Sequence, residues 1–162
     1  MTKNDIKNSD VIKKVLFSLI YVSTGKTSRD YAWSVMKNIT NELIQKHDFL
    51  KYVKIKIEKD DKQANFNIQI DKKIDDIDST LLGKSIQNYI DFLKIKLGKK
   101  AGYFFLQEFK VILGDKYHNI IKQMGVDLRL IDLKEEFGGI DYDNYQIKES
   151  PDSNIGFIKK TM

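Results

Sequence analysis

An α+β domain is what this sequence predicts, and three observations carry the prediction. Two N-terminal segments place apolar residues at helical spacing, two central segments alternate apolar with polar residues, and helical spacing then returns. The order reads α-α-β-β-α-α-α: an N-terminal helical hairpin, a central antiparallel β-hairpin, a C-terminal cluster of about three helices, and an extended or disordered tail. A chain of 162 residues is long enough for one such domain with a real core. The expected domain spans 5–137 and the tail 138–162.

The first helix is expected over residues 5–23, where Val11, Ile12, Val15, Leu16, Leu19 and Ile20 form one stripe. Ser23-Thr24-Gly25 is expected to stop it, with Gly25 as the C-terminal cap. A second helix is expected to start at Thr27 or Ser28, with Asp30 in its first turn near the positive end of the helix dipole. Its stripe is Ala32, Val35, Met36, Ile39 and Leu43, running out near His47.

The period then changes to two. Val53, Ile55 and Ile57 alternate with Lys54, Lys56 and Glu58, and Phe66, Ile68 and Ile70 alternate with Asn65, Asn67 and Gln69. With the polar turn Lys59–Gln63 between them, these segments form a hairpin with one apolar and one wet face. After a polar connector, Asp71–Asp78, a helix capped by Asp78, Ser79 or Thr80 carries Leu82, Ile86, Tyr89, Ile90 and Leu93. Gly98 breaks it. A further helix holds Ala101, Phe104, Phe105, Phe109, Ile112 and Leu113, and a short one follows over Asp115–Met124, ending at Gly125. Val126–Glu136 reads as helix, and beyond Gly138-Gly139 the apolar period vanishes. Two strands alone are marginal, so the hairpin must be covered by helices or gain strands from a second chain. Pairing across a two-fold axis is an economical solution, and a homodimer is expected.

Composition narrows the function. With a mean hydropathy of -0.42 and no unbroken apolar run near membrane-spanning length, no membrane helix is expected. Acid in Met1–Ile6 and the lack of an apolar h-region argue against a secretory signal, so a cytoplasmic location is expected. Zero cysteines remove disulfides and thiolate chemistry, and His47 and His118 are too few and too far apart for a histidine-rich metal site. No metal and no cofactor is expected. Only Arg29 and Arg129 among the 28 basic residues are arginine, so bidentate phosphate or guanine recognition is scarce. Residues 1–59 carry 12 basic and 6 acidic groups, whereas residues 131–162 carry 4 and 7. A basic N-terminal half and an acidic tail result, able to touch each other or a partner.

Several fragments resemble sites. Ser23-Thr24-Gly25-Lys26-Thr27-Ser28 looks like the end of a phosphate-binding loop, but the required earlier glycine is Ile20, and a helix–helix turn is the better reading. Lys51, Lys54, Lys56 and Lys59 form a lysine-rich hairpin face suited to a phosphate backbone, or simply solvated to discourage edge aggregation. Tyr103, Phe105 and Phe109, with His118 following, line a candidate ligand pocket, though such a cluster is more often core. The carboxylates Asp71, Asp75, Asp76 and Asp78 match neither a calcium loop nor a catalytic dyad and read as a solvated connector. No Gly-x-Ser-x-Gly exists and neither histidine has a recognisable companion, so catalysis is not expected.

The stretch Leu81-Leu82-Gly83-Lys84-Ser85, through Leu97-Gly98-Lys99-Lys100-Ala101-Gly102-Tyr103-Phe104-Phe105-Leu106-Gln107-Glu108-Phe109, to Leu113-Gly114 and Met124-Gly125-Val126, carries a resemblance. It resembles uncharacterised output domains of signal-transduction proteins in ammonia-oxidising archaea of the Nitrosopumilus type, over about Asn8 to Gly138. The resemblance implies a regulatory or output role and carries over no functional residue. The function expected is thus a non-catalytic signalling or regulatory module acting through protein–protein interaction and self-association. A nucleic-acid-binding regulator and a small-molecule sensor are the alternatives.

Overall fold

Among the described residues five α-helices and one β-hairpin follow one another in the predicted order: α1 (Asn8–Lys26), α2 (Arg29–Leu43), β1 (Val53–Lys59), β2 (Ala64–Ile70), α3 (Ser79–Leu97), α4 (Phe105–Leu113) and α5 (Asp115–Gln123). The computed structural model describes residues 6–59, 64–102 and 105–128, with the side chains at 59, 64 and 100 outside that description. The chain divides into two units, Met1–Asp127 and Leu128–Met162. Of the helix expected over Val126–Glu136 only Val126–Leu128 is described; its remainder, the boundary at 137 and the tail 138–162 lie outside the described residues.

Helix α1 is central, packing on α2, α3, α4, α5 and β2. Its predicted stripe of Val11, Ile12, Val15, Leu16, Leu19 and Ile20 is buried, and Ser18, Val22 and Ser23 are buried too. Apolar burial of this kind contributes roughly 1.5–3 kcal/mol for each large side chain. A helix enclosed on most sides keeps only one narrow stripe in solvent. On α1 that stripe is Asp10, Lys13, Phe17 and Tyr21.

Gly25 does not cap α1, contrary to expectation; the helix continues to Lys26. Three hydroxyls in this last stretch donate to the carbonyl one turn back: Ser23 to Leu19 at 2.7 Å, Thr24 to Ile20 at 2.9 Å and Thr27 to Ser23 at 2.8 Å. The Ser-Thr-Gly-Lys-Thr-Ser fragment is therefore the last turn of one helix and the cap of the next, not a phosphate loop. Lys26 pairs with Glu108 at 3.0 Å, tying the end of α1 to α4. Ser28 caps α2 by accepting from the Tyr31 amide at 3.2 Å.

The hairpin pairs Val53 with Ile70, Ile55 with Ile68 and Ile57 with Phe66 on one face, and Lys54 with Gln69 and Lys56 with Asn67 on the other. Val53, Ile55 and Ile68 are buried, so the predicted apolar face is the one against the helices. β1 starts at Val53, directly after a 3-10 turn, Asp48–Tyr52, that buries Leu50 completely. The connector is also more than a solvated link. Lys72–Asp76 is a 3-10 turn with Ile74 buried, and α1 clamps it. The Asn8 amide donates to the carbonyls of Ile74 and Ile77 at 3.2 and 2.8 Å, and the Ser9 N–H donates to Asp75 at 2.8 Å.

Asp78 caps α3, accepting from Thr80 and Leu81, and the whole predicted stripe from Leu82 to Leu93 is buried. Tyr89 reaches across to α2, where its hydroxyl lies 2.7 Å from that of Thr40. Gly83 allows close approach, since a Cβ there would overlap the Met124 carbonyl. Gly114, at φ +88°, makes the turn separating α4 from α5, a conformation that favours glycine.

Candidate functional site

The exposed stripe of α1 faces the outer edge of β2, and an open cleft of about 490 Å³ lies between them. Asp10, Lys13, Lys14 and Phe17 form its α1 wall, one helical face at spacings of three and four. Phe66, Asn67 and Ile68 form the opposite wall. Three consecutive strand residues point to alternate faces, so a wall containing all three is the edge of the strand. Trp33 of α2 and Tyr117 of α5 also line it.

Backbone chemistry at this edge follows from the ladder. The Asp71 N–H donates to the Tyr52 carbonyl at 2.9 Å, and that pair continues the register of the hairpin. Antiparallel pairs alternate between hydrogen-bonded and non-hydrogen-bonded. Gln69, Asn67 and Asn65 therefore turn their N–H and C=O groups toward β1, while Ile70, Ile68 and Phe66 turn theirs outward. Among the described residues no backbone hydrogen bond takes up the outward groups of Phe66 or Ile68. β2 also carries no charged side chain, proline or bulge, the usual devices that keep an edge from pairing.

The side chains around the edge are aromatic and cationic. Trp33 stacks on Phe66 with ring centroids 5.0 Å apart, and the Arg29 guanidinium lies 4.3 Å from the Phe66 centroid. Phe17 is 49% exposed and Tyr21 59%, high for large apolar rings one turn apart. Lys14 lies 5.9 Å from the Tyr117 ring centroid. Asp10 is occupied within its own helix, accepting from the Lys7 amide at 3.2 Å. Lys13 and Lys14 form no ion pair among the described residues.

The residues singled out from sequence are placed elsewhere. Lys54 and Lys56 stand exposed on the wet face of β1 with Gln69 and Asn67 as neighbours. Lys51 lies in the 3-10 turn before the strand and pairs with Asp48 at 3.0 Å, which raises its pKa through the hydrogen bond and the nearby carboxylate charge. The Lys59 side chain lies outside the described residues. Phe105 and Phe109 are completely buried in the core, and His118 is half-buried on α5; Tyr103 lies outside the described residues. Beside Phe105 the buried Lys94 ammonium approaches to 5.9 Å of the ring centroid.

His47 is held near neutral form: burial and the charges of Lys46 and Lys84 push its pKa below the usual value of 6.5, and its Nε2 lies 2.8 Å from the Asn88 amide nitrogen. Burial drives the Tyr89 pKa far upward, with the Thr40 hydrogen bond only partly opposing it, so the phenol stays protonated. Among the described residues no three His, Asp or Glu side chains converge as a metal site requires, and no helix is long and apolar enough to cross a membrane.

Sequence reasoning missed the cleft because its walls come from four separate elements. One signal was available: Phe17 and Tyr21 lie off the apolar stripe of α1, in register with Asp10 and Lys13. Comparison with protein families, with curated proteins and with solved structures finds no match for this chain.

Proposed function

We propose that this chain is a non-catalytic regulatory module that works through protein–protein contact, made by strand addition at the outer edge of β2. The observation that carries the reading is the outward-facing backbone of Phe66 and Ile68 beside an open, partly aromatic cleft. An unpaired edge with a side-chain groove next to it is the standard requirement for recognising an extended segment: the backbone supplies affinity and the groove supplies selection. The regulatory role implied by the resemblance to archaeal output domains agrees with a contact surface of this kind.

Self-association is a second reading of the same edge, favoured by the uncharged sequence of β2, Ala64-Asn65-Phe66-Asn67-Ile68-Gln69-Ile70. Two copies can meet there without like charges opposed. Nucleic-acid binding through Lys54 and Lys56 has less support. Tyr52, just before β1, already carries Lys51 and Lys73 at 5.5 and 5.8 Å from its ring centroid.

Sedimentation analysis across a concentration series tests the self-association. The doubly substituted Asn65→Lys, Asn67→Lys chain places charge on the exposed face of β2 without touching the core. Concentration-dependent dimer in the native chain and monomer in the variant is the expected result. A native chain that stays monomeric throughout removes self-association from the reading.

A further inference from the structure

We infer that the cleft between α1 and β2 receives an extended, carboxylate-bearing segment of a protein partner, added as a third strand to the hairpin. The inference rests on the reading of β2 as the contact edge and names what the edge selects.

Three features of the site choose this occupant. The first is backbone complementarity. The edge presents donors and acceptors together, from Phe66 and Ile68. An extended peptide matches both, whereas a phosphodiester backbone offers only acceptors. The second is charge. Lys13 and Lys14 stand on the facing wall with no ion pair among the described residues, and the one acid among the described lining residues, Asp10, accepts from the Lys7 amide. Two lysines against one aspartate leave that wall with an excess of positive charge, which an occupant with carboxylates toward α1 balances. A second copy does not do so through β2, which has no acidic residue. The third is the state of the rings. Phe66 has Trp33 stacked on it and Arg29 over it, so its π-surface is already used and does not offer a platform for an incoming base. Phe17, half exposed and tilted against Tyr21 with ring centroids 6.5 Å apart, keeps surface for an apolar side chain from the same segment.

The geometry is consistent with a short strand. Asp10 to Phe17 covers seven residue steps of α1, roughly 10 Å along its axis at 1.5 Å per residue. A segment of three or four extended residues, at about 3.3 Å each, spans the same length. Its side chains alternate between the cleft and the opposite sheet face, so acidic and apolar residues must share the inward positions to meet both Lys13/Lys14 and Phe17.

The test uses the full chain and a fluorescently labelled peptide of about six residues, mostly Glu with two Val or Ile, the length of an ordinary strand. Controls are the same peptide with Lys in place of Glu, and single-stranded DNA. Saturable binding of the Glu peptide is expected, weakened by salt and reduced at least about tenfold by Lys13→Glu with Lys14→Glu. Lys13 is exposed and Lys14 half-buried, both outside the buried stripe of α1, and unchanged helix content by circular dichroism separates lost binding from lost folding. On binding, the amides of Phe66 and Ile68 gain exchange protection. Equal binding of the Lys peptide, or binding of DNA alone, overturns the inference. Failure of every probe, with self-association still lost in the Asn65→Lys, Asn67→Lys chain, overturns it in favour of a second copy and leaves the β2-edge reading standing. Failure of every probe without self-association removes both.

Discussion

Two groups of aromatic residues behave in opposite ways. Phe105 and Phe109 lie four residues apart on one short helix and are wholly buried. Phe17, Trp33, Phe66 and Tyr117 come from four elements distant in sequence, and together they line the open cleft. The contiguous group is conspicuous in the sequence and serves packing. The dispersed group is inconspicuous and forms the surface on which the functional reading rests. Density of aromatic residues along a chain reports helical periodicity first, and a recognition surface only when the rings fall outside the buried stripe.

Substitutions sharpen this contrast, and the largest effect belongs in the core. Phe105→Ala is expected to cost about 3–5 kcal/mol in urea unfolding, from lost burial and the cavity left behind. Phe17→Ala is expected to fall within about 0.5 kcal/mol of the native chain, as a surface change does, while weakening the binding of the Glu peptide. A Phe17→Ala chain as unstable as Phe105→Ala erases the distinction between the two groups.

Gly83→Ala comes next. Overlap with the Met124 backbone must be relieved by shifting α3 against the segment after α5, an overpacking cost of about 1–3 kcal/mol that thermal denaturation reads directly. Tyr89→Phe is smaller. It leaves the buried Thr40 hydroxyl with only its own-helix carbonyl, that of Met36, and is expected to cost about 1–2 kcal/mol.

The smallest effect concerns pH. His47 has a folded pKa below its unfolded value of 6.5, so the unfolded chain binds the extra proton more readily. Stability attributable to this group is complete above the unfolded pKa. It declines as pH falls below that value and levels off once pH passes beneath the folded pKa. His47→Gln is expected to flatten this part of a stability-versus-pH curve; an unchanged slope contradicts the assignment.

The fold was legible because its elements are amphipathic on a single period. Val53, Ile55 and Ile57 alternate against lysines, and Leu82, Ile86, Tyr89, Ile90 and Leu93 keep helical spacing, so type and order follow from periodicity alone. Boundaries were less legible where side chains satisfy backbone groups locally. α1 runs past Gly25 with Ser23, Thr24 and Thr27 bonded to carbonyls one turn back, and Asn8 with Ser9 organises a connector that reads as merely polar. The cleft was hardly legible at all. Its walls depend on α1 lying beside the outer edge of β2, and no pattern within either segment specifies that neighbour.

Residue-resolved amide hydrogen exchange along β2, on protein dilute enough to be monomeric, tests the central claim most directly. An open edge predicts alternation: slow exchange at Asn65, Asn67 and Gln69, whose groups face β1, and fast exchange at Phe66 and Ile68. Uniform protection of all five amides in the monomer contradicts the account, because the edge proposed to receive a partner strand is then already satisfied from within the chain.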